Sequence, residues 1–232
     1  MDYKKLHAWD VNPTTAIELQ QQLRRQVQEE KLTQEVRLVA GADISFEKYS
    51  NIVYAAFVVL DINTVTVVAH ASVVTEAQFP YIPGLLSFRE APPLLAAWEK
   101  LTVEPDVVMF DGQGIAHPRR LGVASHMGLF LDKPSIGCAK TILVGRYKDL
   151  AEEAGSTAAL IDRGEKIGVA LRTKRKVNPV YISVGHRIEL EDAIALTMRT
   201  VKGYRIPEPT RQAHLLVNQL RREAGSKEEK VE

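Results

Sequence analysis

The chain has 232 residues, of which 45% are hydrophobic and 25% are charged, a composition that allows one large packed domain. Its formal net charge of +1 excludes a strong overall field that would attract nucleic acid or a membrane surface. The single cysteine, Cys138, excludes an internal disulfide, and apolar runs such as the one that contains Tyr54 to Leu60 are too short to cross a bilayer. We therefore expect a cytoplasmic protein without a membrane segment.

The first half of the chain predicts a helix, a meander of three strands and a second helix. Residues Thr14 to Leu32 repeat apolar side chains with a helical period. Three runs rich in small and β-branched apolar residues follow, at residues 37–46, 51–61 and 64–74. Ser87 and Glu90 then have the spacing of a capping box at the start of the second helix.

The second half alternates between strand-like and helix-like segments. Strands are predicted at residues 107–110, 134–139, 166–173 and 178–185, and helices at residues 119–131, 190–201 and 208–223. Three antiparallel strands followed by helix, strand, helix and strand form the topology of a ribonuclease H-like mixed sheet, in which parallel strands continue the meander. We therefore predict an α/β fold in a single domain over residues 1–232, with a frayed tail at residues 225–232.

Three acidic residues occupy positions that this topology would bring together. Asp43 lies near the end of the first strand, Asp111 follows the strand expected beside it, and Glu90 opens the helix between them. Crowded, half-buried carboxylates repel one another unless a cation neutralises them, and open sites of oxygen ligands suit Mg²⁺ or Mn²⁺. Each acid taken alone is better explained as a cap or turn residue, but the three together predict a metal-dependent hydrolytic site.

Basic residues near Asp111 fit chemistry at a phosphate group. Lys140 follows the neighbouring strand, where its charge would either orient the attacking water or stabilise a phosphorane-like transition state. His117 and the pair Arg119-Arg120 are placed to contact phosphates, although a solvated first helical turn explains the arginines equally well. The glycines after Asp111 do not form a dinucleotide-binding fingerprint, because His117 stands where the third glycine is needed.

Long uninterrupted blocks of the sequence resemble the endonuclease V family of deoxyinosine-specific repair nucleases. The blocks are "PYIPGLLSFRE", "DGQGIAHPRRLGVASHMGL", "SIGCAKT", "NPVYISVGHRI" and "KGYRIPEPTR", and the resemblance runs from Val39 to Arg211. It implies a ribonuclease H-like fold and a Mg²⁺ cofactor for which Mn²⁺ can substitute. It also implies cleavage of the second phosphodiester bond 3′ to a deaminated adenine, leaving a 3′-hydroxyl and a 5′-phosphate.

The resemblance implies a catalytic role for five residues. Asp43 and Asp111 would be the principal metal ligands, and Glu90 would complete the carboxylate set. Lys140 would be the active-site lysine, and His214 would approach the metal site from the last helix. A solvated helical histidine is the alternative explanation for His214.

The resemblance also implies that "PYIP" is a wedge, which enters the duplex where the lesion base is flipped out. The wedge and DNA-contacting residues would be Pro80, Tyr81, Ile82, Pro83, His117 and Arg119, and a pocket for the flipped base would be lined by Gly84, Leu85, Gly112 and Gly137. Without the resemblance, a surface aromatic in a turn would be the better explanation for Tyr81.

The expected partner is DNA containing deoxyinosine, bound by a monomer, and two other functions remain open. A ribonuclease H-like metal nuclease with another preference would act on inosine RNA, mismatches, flaps or junctions. A lesion-binding module without catalysis would require the three acids to be capping residues.

Overall fold

The computed structural model describes residues 1–47 and 50–228, with the side chains of the last helix described to residue 225. The strands are β1 Leu38–Phe46, β2 Ile52–Asp61, β3 Thr66–Glu76, β4 Val107–Phe110, β5 Ser135–Ala139, β6 Thr157–Asp162, β7 Glu165–Leu171 and β8 Val180–His186. The helices are α1 Pro13–Leu23, α2 Leu86–Glu99, α3 Val123–Leu131, α4 Leu190–Arg199 and α5 Glu208–Glu228.

The strands form one eight-stranded mixed sheet in the order β3-β2-β1-β4-β5-β8-β7-β6. The meander β1-β2-β3 is antiparallel, β4 and β5 continue it in parallel with β1, and β8, β7 and β6 return to antiparallel pairing. The predicted α/β fold with a ribonuclease H-like mixed sheet is therefore confirmed. The central strand β4 is buried at each of its residues, as expected for a parallel strand covered on both faces.

Helices cover both faces of the sheet. Helices α2 and α3 pack on one face, where the rings of Phe57 and Trp98 lie 5.4 Å apart in an edge-to-face contact. Helices α4 and α5 pack on the other face, where Ala213 contacts the cluster of Val58 and Leu60. None of the helices in the described part of the chain has the length and apolar character needed to span a bilayer.

The first predicted helix is too long, because α1 ends at Leu23 and only a short 3-10 turn, Arg24–Gln26, continues it. The following residues run alongside β8 and α4. The backbone of Gln28 receives a hydrogen bond from the amide of Arg187 at 2.7 Å, and the amide of Leu32 donates to Asp192 at 2.8 Å. Tertiary partners therefore satisfy backbone groups that a longer helix would have paired internally.

Two other helix starts differ from the predictions. The expected capping box is wrong, since Leu85 is the N-cap of α2 and the Ser87 hydroxyl hydrogen-bonds to Nδ1 of His126 at 3.0 Å. Helix α3 starts at Val123 because Arg120 has a left-handed backbone with φ of 59°, which a helix cannot accommodate.

The C-terminal half contains one strand that the pattern missed, the edge strand β6. Helix α5 runs to Glu228, beyond the predicted end at residue 223. The frayed tail expected at residues 225–232 falls partly on residues 229–232, which lie outside the described residues.

Candidate active site

The two aspartates meet at the carboxyl ends of β1 and β4. These strands pair in parallel with Ala42 opposite Phe110, and the amide of Asp111 donates to the carbonyl of Ala42 at 3.1 Å. The next residues along the two strands are Asp43 and Asp111, so the register places them side by side. Their meeting follows the expectation that ligands gather beyond the carboxyl ends of parallel strands.

Helix α5 brings His214 to the same point. The helix starts directly over β1, where a Cβ on Gly41 would lie 1.9 Å from the carbonyl oxygen of Pro209, so only glycine permits this approach. Nδ1 of His214 lies 2.7 Å from Oδ2 of Asp43. One potential ligand atom from each of Asp43, Asp111 and His214 lies within 4.8 Å of the others.

A hydrogen-bond chain orients the imidazole of His214. The amide nitrogen of Asn218, one turn further along α5, lies 3.1 Å from Nε2 of His214, and its amide oxygen accepts from the Ser45 hydroxyl at 3.3 Å. Because the amide nitrogen can only donate, Nε2 must accept, and Nδ1 carries the proton that is donated to Asp43. Sequence reasoning missed Asn218 and Ser45, for which the only signal is the i, i+4 spacing of Asn218 from His214.

Lys140 reaches the cluster from the neighbouring strand. It follows β5, which pairs in parallel with β4, and its Nζ forms an ion pair with Oδ2 of Asp111. Burial and the charge of Asp43 raise the pKa of Asp111, while the cation of Lys140 opposes that rise.

Glu90 borders the cluster from α2. Together with Asp43, Asp111 and the apolar side chains of Leu94 and Val123 it lines a small cavity. Burial, and then the charges of the two aspartates, raise the pKa of Glu90 from 4.5 to about 8. Without a cation, Glu90 therefore favours its neutral acid form beside the two aspartates.

The donor set fits a divalent cation. Carboxylate oxygens of Asp43 and Asp111 converge within a few ångströms, beside the imidazole of His214 that orients one of them, and carboxylate oxygens are the ligands that hard divalent ions prefer. Glu90 adds a third carboxyl group at the border, where burial first and then the charges of Asp43 and Asp111 raise its pKa, and a bound cation would favour its ionised form.

An open cavity of about 370 Å³ adjoins the acidic cluster. Its lining includes Tyr81, Pro83, Gly84, Asp111, Gly112 and Lys140. Leu85 and Gly137, both predicted to line the cavity, lie elsewhere. Leu85 is buried with Ala16 in a separate apolar cluster, and Gly137 packs against the backbone of Gly114. Leu86 lines the cavity in place of Leu85.

The segment predicted as a wedge forms a tight turn at the mouth of this cavity. The amide of Leu85 donates to the carbonyl of Ile82 at 2.9 Å, with Pro83 and Gly84 in the central positions and φ of 79° at the glycine. Proline followed by glycine at these positions is the sequence signature of a type II turn. Tyr81 projects from it with 66% of its surface exposed.

The flanks of the wedge are anchored differently. Pro80 is exposed, and Ile82 is half-buried against the apolar cluster that contains Phe79 and Phe88. The turn is thus fixed to the domain on one side and presents Tyr81 to solvent on the other.

His117 and Arg119, which the sequence predicts as phosphate contacts, both hydrogen-bond to the wedge turn. His117 is buried, and its Nε2 lies 3.0 Å from the carbonyl oxygen of Gly84. Nη2 of Arg119 donates to the same oxygen at 2.6 Å. Both side chains hold the turn from within, while Arg120 is engaged by Asp162 at 2.9 Å and by a second carboxylate.

Cys138 is buried in β5, and burial raises the pKa of its thiol, so it packs as a small apolar residue.

Comparison with known proteins gives one consistent family. The family model described as Endonuclease V matches residues 21–215. The chain is 53% identical over 218 residues to the endonuclease V of Myxococcus xanthus, a match that covers 94% of this chain and 93% of that relative.

Solved structures agree. The crystal structure of endonuclease V from Streptomyces avermitilis superposes with a TM-score of 0.89 at 41% identity, covering 94% of this chain and 96% of that one. Endonuclease V from Ciona intestinalis, crystallised with a 24mer DNA containing an inosine followed by a ribo-adenosine, gives a TM-score of 0.79 at 25% identity and covers 91% of this chain and 98% of its own. This chain therefore belongs to the endonuclease V family, and it is a metal-dependent nuclease that hydrolyses phosphodiester bonds.

Proposed function

We propose that this nuclease acts in DNA repair on strands that contain deoxyinosine. It hydrolyses the second phosphodiester bond 3′ to the lesion and leaves a 3′-hydroxyl and a 5′-phosphate. Family membership supports this function, as does the inosine-containing DNA bound by the Ciona relative. The observation that carries the proposal is that Asp111 belongs both to the acidic cluster and to the lining of the open cavity. Chemistry and base recognition therefore share one site.

Recognition begins with extrusion of the base from the duplex. Hypoxanthine in a mismatch pairs weakly, so the cost of flipping it, a few kcal/mol for an ordinary base, is lowest at the lesion. Tyr81 fills the gap by stacking on the remaining bases, and the rigid Pro83-Gly84 turn keeps it in place. The flipped base enters the cavity beside Gly84 and Gly112, where missing side chains allow a flat ring to approach the backbone.

Asp43, Asp111 and Glu90 are the residues that would hold Mg²⁺, for which Mn²⁺ would substitute. When bound, the cation polarises the phosphate and lowers the pKa of a water molecule. The chain's own groups prepare the site for this. His214 donates from Nδ1 to Asp43 and so fixes that carboxylate, and Lys140 places a cation next to Asp111 where charge on the phosphate oxygens increases.

Inosine-containing RNA is the second candidate substrate. One observation favours it, namely that the DNA bound by the Ciona relative carries a ribo-adenosine directly after the inosine. A pocket that reads the base more than the sugar would also accept an inosine ribonucleotide.

Cleavage of an end-labelled duplex with one deoxyinosine, in Mg²⁺ and in EDTA, tests the proposal. We expect a single metal-dependent nick at the second phosphodiester bond 3′ to the lesion, and no nick in a matched duplex with deoxyadenosine. Inosine RNA, a mismatch, a flap and a junction complete the panel. Faster cleavage of any of these than of the deoxyinosine duplex would contradict the proposed preference.

A further inference from the structure

The carbonyl oxygen of Gly84 receives hydrogen bonds from three side chains. Nε2 of Gln20 and Nε2 of His117 each lie 3.0 Å from it, and Nη2 of Arg119 lies 2.6 Å from it. A carbonyl oxygen has two lone pairs, so three donors saturate its capacity. Side chains from outside the turn therefore fix the orientation of this peptide group.

Gln20 is the member of this group that connects two walls of the cavity. It comes from α1, is 1% exposed, and also donates from Nε2 to the carbonyl of Leu121 at 3.2 Å. Its Oε1 accepts a hydrogen bond from Nε of Arg119. One buried amide thus joins the Pro83-Gly84 turn to the segment that leads into Gly122, which also lines the cavity.

The protonation state of His117 completes the network. Its Nδ1 lies 3.2 Å from the amide of Arg119, which can only donate, so Nε2 carries the proton and donates to Gly84. Burial, and then the charge of Arg119, lower the pKa of His117 to about 4. The imidazole therefore stays neutral at physiological pH and keeps this arrangement. Buried polar networks whose members are all satisfied hold a single conformation.

We propose that Gln20 is a positioning residue for lesion recognition, which acts by locking the Pro83-Gly84 turn and the Tyr81 that precedes it. This inference rests on the proposed function. Gln20 does not line the cavity, so it acts through Gly84 and Arg119 and not by touching the base. The turn depends on glycine at this position, since φ of Gly84 is 79° and a Cβ there would lie 2.9 Å from Nη2 of Arg119.

The consequence concerns duplex substrates above all. Extruding a base from a duplex requires a rigid wedge, whereas a deoxyinosine in a single strand needs no extrusion. Loosening the turn should therefore weaken action on duplex deoxyinosine more than action on the same lesion in a single strand. If Gln20 only supported folding, its replacement would weaken action on the duplex and on the single strand to the same extent.

The test compares Gln20→Met with Gln21→Met, the same change at an exposed position of the same helix. For Gln20→Met we expect binding to duplex deoxyinosine to weaken about tenfold, with binding to single-stranded deoxyinosine changed by less than about twofold. Hydrogen exchange of the Leu85 amide, which closes the turn, should accelerate in the same variant. Gln21→Met should match the wild type in all three measurements.

Equal weakening on both substrates, or unchanged binding on both, would overturn the inference. If Gln20→Met does not fold by circular dichroism, Gln20→Glu replaces it, because it keeps the length and the acceptor for Arg119 but loses the donor to Gly84. A wild-type protein that does not distinguish deoxyinosine from deoxyadenosine in duplex DNA would contradict the proposed function itself. In that case the positioning role of Gln20 is contradicted as well. If the wild type does select deoxyinosine and Gln20→Met binds both substrates as the wild type does, only the inference about Gln20 is contradicted.

Discussion

Nδ1 of His214 lies 2.7 Å from Oδ2 of Asp43, and Asn218 holds the other ring nitrogen at 3.1 Å. The other oxygen of Asp43 accepts from the amide of Ile44 at 2.8 Å. The carboxylate is therefore oriented from both sides by groups that donate to it. Such partners behind a metal-binding carboxylate restrict its position and leave its outward face for a cation.

Replacing Asp43 with asparagine keeps the shape of the side chain and removes its charge. We expect nicking of the deoxyinosine duplex to fall by about a thousandfold or more, because several kcal/mol of charge stabilisation depend on the metal site. Binding of the same duplex should stay within about threefold of the wild type, since the cavity and wedge are untouched. Gel-shift and nicking assays check both, with the exposed Glu99→Gln as control, and unchanged cutting would exclude Asp43 as a metal ligand.

Asn218→Leu removes the donor that sets the tautomer of His214. Substitutions behind metal ligands commonly reduce activity by about 10- to 100-fold, and we expect a nicking rate in that range. Asn218→Asp should also reduce the nicking rate, because a carboxylate would accept a hydrogen bond from Nε2 of His214 and so favour the other tautomer. Nitrogen NMR of the imidazole reports the tautomer directly, and Gln219→Leu on the same helix is the control. A wild-type tautomer in Asn218→Leu would contradict this role.

Lys140→Met removes the cation beside Asp111. We expect nicking to fall by about 100- to 1000-fold, as for loss of one group that stabilises transition-state charge. Because Lys140 opposes the upward shift in the pKa of Asp111, its loss should also move the acidic limb of the rate profile to higher pH. Rates from pH 5 to pH 9 check this, with the exposed Lys148→Met as control. An acidic limb that stays in place would show that the two groups are not coupled.

Tyr81→Ala removes the ring that we place in the wedge. Stacking of an aromatic side chain on a base contributes about 1–3 kcal/mol, so binding of duplex deoxyinosine should weaken about 5- to 150-fold. Tyr81→Phe should bind as the wild type does, since it keeps the ring. Calorimetric titration with Mn²⁺ should give the same affinity in all three proteins, and lost Mn²⁺ affinity in Tyr81→Ala would contradict a wedge role.

Glu90→Gln should stabilise the metal-free protein at alkaline pH. The pKa of Glu90 is raised from 4.5 to about 8, so the folded state favours the neutral acid. The contribution of this carboxyl group to the free energy of unfolding is therefore fully present below pH 4.5 and is lost as the pH rises through 8. At pH 8.5 in EDTA we expect the variant to exceed the wild type by about 1–4 kcal/mol in free energy of unfolding, with little difference at pH 4.5. Urea unfolding measures this, and addition of Mg²⁺ should stabilise only the wild type. A wild-type advantage at pH 8.5 in EDTA would contradict the raised pKa.

Local patterns in the sequence determined the elements that carry the acids. The apolar run before Asp111 and the β-branched run that contains Asp43 are short-range signals, and strand order followed from their spacing along the chain. The parallel pairing of β1 with β4 then placed the two aspartates together as predicted. Strand order also placed Lys140 beside Asp111, the resemblance to the family added His214, and the structure brings both to the cluster.

Only the tertiary structure decided which polar side chains face the cavity and which hold it from behind. Arg119 has the charge of a phosphate-binding residue, yet it donates to Gly84 from behind the cavity, 35 residues away, while His117 lines the cavity and bonds to the same carbonyl, 33 residues away. Gln20 is one of three consecutive glutamines and differs from its neighbours only by its burial and by partners 64 and 101 residues distant. A buried polar group must find its partner wherever the fold supplies one, and that partner leaves no mark on the sequence around the residue.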